Sequence, residues 1–130
     1  MVGVDTREVS VELPPHVKFI QADVFELSPV DLHHFSREFD VVLSDLAPAT
    51  TGIRSIDSNR SSMLFQRALS LAEDLLAPGG HFLGKIFQGS GFNAIVQQLK
   101  GEFLKVRGIK PRATRKVSKE IYLVAMVKKA

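Results

Sequence analysis

Cysteine is missing from this 130-residue chain. Its absence excludes a disulfide scaffold and any thiolate zinc site, and fits a reducing compartment. Long apolar runs are missing too, and none approaches the roughly 18–20 residues that span a bilayer. The first residues also lack the basic-then-apolar pattern of a secretory signal. His33 and His34 form no convincing ligand set, so no metal site is expected. What is present is 45% hydrophobic and 24% charged residues, enough apolar surface to offset ordering entropy in one domain spanning residues 1–130. The expectation is a soluble, cytoplasmic monomer with no membrane association.

Charge is unevenly spread. The net +3 combines an acidic stretch, residues 1–99, with a basic tail. Seven Lys/Arg face twelve Asp/Glu in the first stretch, whereas ten face two in residues 100–130. Such a block attracts polyanions through counterion release, nucleic acid being the usual partner, or it forms a well-solvated face.

Apolar, β-branched segments predict strands at Val2–Asp5, Val17–Asp23, Phe39–Asp45, His81–Phe87, Phe103–Ile109 and Glu120–Val127. Asp57 or Ser58 can cap a helix on which Leu64, Ala68, Leu71 and Leu75 form one apolar row and Phe65, Leu69, Ala72 and Leu76 a second. Ala77-Pro-Gly-Gly80 should stop that helix, and a shorter one runs from about Phe92 to Gly101. Lys110 to Ser118 reads as a basic loop. Strands alternating with helices argue for a parallel α/β sheet with crossovers, whose ligands bind beyond the carboxyl ends of the strands. Three strands close on aspartate, and Asp5, Asp23 and Asp45 would line one edge. Each could merely cap a turn. Together they point to a nucleoside-bearing cofactor, because a strand-end carboxylate accepts from ribose hydroxyls.

Lys85 is the oddest residue, an amine within Phe82-Leu-Gly-Lys-Ile-Phe87. It either snorkels from an edge strand or meets Asp45 and Glu120 at one sheet edge. The second arrangement joins a lysine to two carboxylates, a composition suited to taking a proton from a poor acid.

Ser44-Asp-Leu-Ala-Pro48, Ala77-Pro-Gly-Gly80, Gly84-Lys-Ile-Phe-Gln-Gly89, Lys110-Pro111 and Ser118-Lys-Glu-Ile-Tyr122 occur in order with plausible gaps. As a set they resemble the FtsJ/RrmJ (RlmE) family of ribosomal RNA 2′-O-methyltransferases. The resemblance implies a Rossmann-like SAM-dependent methyltransferase sheet, mostly parallel with an antiparallel C-terminal strand, and S-adenosyl-L-methionine as cofactor. Asp45, Lys85 and Glu120 match three members of the family's Lys–Asp–Lys–Glu tetrad, with Lys85 as acceptor of the ribose 2′-hydroxyl proton. Asp45 would also touch the cofactor near its sulfonium, Asp5 would bind the cofactor ribose and Asp23 would lie beside the adenine. Lys110, Arg112, Arg115, Lys116 and Lys119 would grip RNA phosphates. The implied substrate is a uridine of large-subunit (23S) ribosomal RNA.

One departure qualifies this resemblance. The family's glycine-rich cofactor loop and first tetrad lysine have no counterpart here, and Gly89-Ser-Gly91 is no substitute. The sheet is therefore expected to be incomplete at its N-terminus, with weak cofactor binding and little or no activity of the chain alone. The alternatives are a non-enzymatic RNA-binding module or remnant that uses the basic C-terminal region, or another α/β nucleotide enzyme such as a reductase.

Overall fold

The computed structural model describes residues 1–89, 91–110 and 119–130. The elements are β1 (Val2–Asp5), β2 (Lys18–Gln21), α1 (Pro29–His33), β3 (Phe39–Ser44), α2 (Arg54–Leu75), β4 (Leu76–Phe87), α3 (Phe92–Glu102), β5 (Phe103–Ile109) and β6 (Glu120–Lys128).

The described strands form two sheets. β1 and β2 pair in parallel, and a four-stranded sheet has the order β3-β4-β6-β5. β3 is parallel to β4, whereas β6 is antiparallel to both β4 and β5. The last strand is thus reversed, as expected of this α/β architecture, and lies inside the sheet. With β3, β4 and β5 running the same way, their carboxyl ends share one edge with the start of β6.

Alternation along β4 and β6 sends Phe82, Ile86, Ile121, Leu123 and Ala125 to one face, where α2 and α3 cover them. Both apolar rows of α2 are used. Phe65, Leu69 and Ala72 pack on the four-stranded sheet, while Leu71 and Leu75 pack with Leu27, Leu32, Val4 and Ile20 beside β1 and β2. Arg67 extends this link, its Nε donating to Val24 O at 2.9 Å and its Nη2 to Leu27 O. α1 is set locally: Ser28 Oγ accepts from the Val30 N–H, Asp31 Oδ2 accepts from the Ser28 N–H at 2.9 Å, and Pro29 opens the first turn.

Two expected boundaries move. The long helix begins at Arg54, with no side-chain cap bond from Ile53, and not at Asp57 or Ser58. Asp57 is buried because it reaches back to the preceding loop. Ala77–Gly80 does not separate helix from strand, since β4 starts at Leu76 directly after the helix. The register jumps from Phe39↔Leu76 to Val41↔His81, so these residues bulge out of the strand. Gly79 supplies the positive φ of +86° that this bulge requires. At the C-terminus of α2 the last carbonyls are satisfied from β6. Lys128 Nζ donates to Glu73 O at 2.6 Å and to Leu76 O at 3.1 Å.

A candidate active site at the strand ends

β4 carries Lys85 at the carboxyl edge, where its register partner on β6 is Tyr122. Asp45 is the first residue beyond β3, opposite Lys85. The result is a compact cluster. Lys85 Nζ lies 3.0 Å from Asp45 Oδ1, and Tyr122 Oη donates to that same oxygen at 2.9 Å. The Lys85 side chain is only 12% exposed and that of Asp45 is 69% exposed, so the amine is sheltered and the carboxylate faces solvent. Glu120 pairs with Phe87 two residues along β6 and adds its charge to the group. The arrangement with Asp45 and Glu120 is therefore the one found, and not a snorkelling lysine.

The electrostatics follow from these contacts. Burial pulls the Lys85 pKa down, but the hydrogen bond and charge of Asp45, helped by Glu120 and Tyr122, leave it above its ordinary value. Burial likewise works against the Asp45 carboxylate. Its hydrogen bonds with Lys85 and Tyr122 outweigh this and hold its pKa below the usual range. The bond to Asp45 raises the Tyr122 pKa by favouring the phenol. The resting cluster is ammonium, carboxylate and phenol.

Tyr122 escaped sequence reasoning, although a signal was present. It is the only tyrosine in the chain and stands two residues from Glu120, on the same face of a strand. Asp57 also acquires a different part. Its Oδ1 accepts from Thr51 N and Thr51 Oγ1, both at 2.8 Å, and its Oδ2 from Gly52 N at 3.2 Å. These bonds fasten the loop that leads from Asp45 to α2 and keep the Asp57 pKa low. From the same helix, Ser61 Oγ accepts from Phe87 N–H at 2.9 Å and anchors the end of β4.

Asp5 ends β1 and Asp23 lies two residues past β2, so these two sit on the smaller sheet and apart from Asp45 in the strand order. Each spends one oxygen on a local turn: Asp5 Oδ1 accepts from Arg7 N at 3.0 Å and Asp23 Oδ1 from Phe25 N at 2.9 Å. Both side chains are exposed, with the second oxygen uncommitted among the described residues. They therefore serve as turn caps and still fit the hydroxyl and amino donors of a nucleoside. Lys110 follows β5 and is exposed, whereas Lys119 is half-buried and adjoins Glu120. Arg112, Arg115 and Lys116 lie outside the described residues. His33 closes α1 and His34 follows it, both exposed.

An α/β sheet with an amine–carboxylate cluster at its carboxyl edge, and with acidic residues at or just beyond the ends of two further strands, has the layout of a Rossmann-like, nucleoside-cofactor domain. The chain belongs to the FtsJ-like methyltransferase family, whose model matches residues 1–128. It is 46% identical over 129 residues to ribosomal RNA large subunit methyltransferase E of Desulfatibacillum aliphaticivorans, covering 99% of this chain and 62% of that protein. The like-named protein of Syntrophobacter fumaroxidans is 47% identical, with 97% and 64% covered. The chain thus spans just under two thirds of the length of these relatives. In structure it resembles a crystal structure described as a ribosomal RNA methyltransferase from Plasmodium falciparum. That match has a TM-score of 0.83 at 26% identity and covers 98% of this chain and 71% of the other. Among the described residues, no helix is long and apolar enough to cross a membrane.

Proposed function

We propose that this domain contributes the catalytic edge of an S-adenosylmethionine-dependent methyltransferase acting on the ribose 2′-hydroxyl of a uridine in large-subunit ribosomal RNA. The observation that carries this reading is the 3.0 Å contact between Lys85 and Asp45 at the strand ends of a chain in this family. When bound, the cofactor supplies an electrophilic methyl on a sulfonium. Asp5 and Asp23 would hold its nucleoside half, and Asp45 would face its positive charge.

The ribose hydroxyl is a very weak acid, so its proton must leave as the oxygen–carbon bond forms and the carbon–sulfur bond breaks. Lys85 in its neutral form accepts that proton. The resting ammonium cannot, so the cluster has to release the amine first. Asp45, whose carboxylate raises the Lys85 pKa, would be drawn away from the amine by a cation set against it. The field of that cation would lower the Lys85 pKa further. Tyr122 keeps Asp45 in place meanwhile, and alignment of the reacting atoms is the rest of the task. Lys110, Arg112, Arg115, Lys116 and Lys119 would bind substrate phosphates without reading sequence.

The test is transfer of a labelled methyl group to large ribosomal subunits that lack the modification. It should use this chain alone and this chain substituted for the matching region of the full-length Desulfatibacillum relative. In the full-length context Lys85→Ala should abolish transfer while RNA affinity stays close to wild type. Retained transfer by Lys85→Ala would remove the lysine from the mechanism.

A further inference from the structure

Beside the Lys85 cluster lies an open cavity of about 220 Å³, lined by Arg54, Asp57, Ser58, Phe87, Lys119 and Glu120. Three elements build it. Arg54, Asp57 and Ser58 come from the first turns of α2, Phe87 ends β4, and Lys119 and Glu120 open β6. The walls are firmly set. The Lys119 carbonyl accepts from Gln88 N–H at 2.9 Å, extending the β4–β6 ladder by one pair. Gly89 passes so close to α2 that a Cβ there would come within 2.5 Å of Ser58 Oγ.

The charges in this cavity are unequally committed. Asp57 spends both oxygens on Thr51 and Gly52, and Glu120 acts on Lys85. Arg54 and Lys119 have no carboxylate partner among the described residues and repel one another. Burial, followed by the Arg54 charge, lowers the Lys119 pKa. An anion placed between them would relieve that repulsion. A guanidinium fork with an adjacent ammonium matches a phosphate oxygen pair. The position suits one phosphate in particular, because Glu120 lies two strand residues, about 7 Å, from Tyr122. An extended sugar–phosphate unit covers a similar length.

We propose that Arg54 and Lys119 converge on this cavity to hold the phosphodiester next to the ribose presented to Lys85, giving the RNA strand a second fixed point. The assignment rests on the methyltransferase reading above and adds Arg54, which stands outside the basic tail. The two cations of the cavity suit a phosphate, and phosphate contacts position a strand without reading its bases.

The test is cofactor-free binding of this chain to a short fluorescein-labelled oligouridine, followed by anisotropy across a salt series. Arg54→Ala should weaken binding several-fold at low salt and reduce the slope of log K against log salt by about 0.7, one single-strand phosphate. Arg54→Lys should recover part of the loss. Lys100→Ala, a charge removed at the far end of α3, should leave the slope close to wild type. Strands carrying one neutral methylphosphonate linkage, moved position by position over a 2′-deoxy sugar, locate the contact. At one position the wild type should lose what Arg54→Ala loses, and the variant should lose nothing further. Arg54→Gln, checked by thermal melting, guards against a folding artefact. Arg54→Ala and Arg54→Gln both matching Lys100→Ala would overturn the proposal, as would a loss insensitive to linkage position. Neither result would touch Lys85, whose part is read separately from methyl transfer.

Discussion

The two faces of the four-stranded sheet are made by the same strands and have opposite characters. On the face under α2 and α3, Phe82, Ile86 and Ala125 are fully buried, and the Phe65 and Phe82 rings meet edge to face at 5.5 Å. On the other face Val41 is 49% exposed, Leu43 70% and Ile109 46%, and no described helix covers them. One register row on that face reads Leu43, Leu83, Val124 and Arg107; the next carries Lys85, Tyr122 and Ile109. The first face holds the domain together. The second carries the candidate site, and alternation along β4 places Lys85 next to the fully buried Ile86.

The sharpest way to break this comparison is to shorten one residue from each face. Phe82→Ala should cost about 3–5 kcal/mol, because a packed ring leaves a cavity behind. Leu43→Ala should stay within about 0.5 kcal/mol, because little apolar surface is withdrawn from water there. Denaturant titrations that gave equal losses would show the second face to be covered in solution.

A smaller effect tests the open face itself. Asp45→Asn removes the main influence raising the Lys85 pKa and leaves the burial that lowers it. The Lys85 ammonium should then titrate at lower pH than in the wild type, as read from its side-chain NMR signals. An unchanged midpoint would mean that the pair does not form.

The smallest expected effect lies away from both faces. Glu73, near the C-terminus of α2, faces Glu102 at the end of α3. Burial, the Glu102 carboxyl and Asp74 push its pKa up from 4.5 to about 7, with Lys128 opposing them. Glu102 Oε2 is buried with no hydrogen-bond partner among the described residues. Two carboxyls can hydrogen-bond only when one carries a proton. The folded state therefore binds more protons here than the unfolded chain between about pH 4.5 and 7. The stability this contributes is complete below that window and lost as pH rises through it. Melting temperature should fall across the window, and Glu73→Gln should flatten the fall.

How much of this was legible depends on whether a feature is local. β5 was read with its observed bounds and α3 with its observed start, because strand and helix periods are carried by neighbouring residues. Asp45, Lys85 and Glu120 were picked out by residue type and by position at strand ends. Asp57 was misread as a cap because its true partners, Thr51 and Gly52, precede the helix in a loop whose path no periodicity reveals. Ala77-Pro-Gly-Gly80 has the composition of a stop, yet residues of that kind also make a bulge, and only pairing with β3 distinguishes the two. Tyr122 and Arg54 became visible through register and cavity shape, which depend on residues far apart in the chain.

The order β3-β4-β6-β5 has a consequence for assembly during synthesis. β6 is the last described strand to leave a ribosome, yet among the described residues it is the only strand partner of β5 and the flank of β4 that carries Tyr122 to Lys85. Until β6 emerges, β4 presents a bare edge and the lysine has no phenol opposite it. Growing chains cannot assemble this cluster early, and prematurely terminated ones never do.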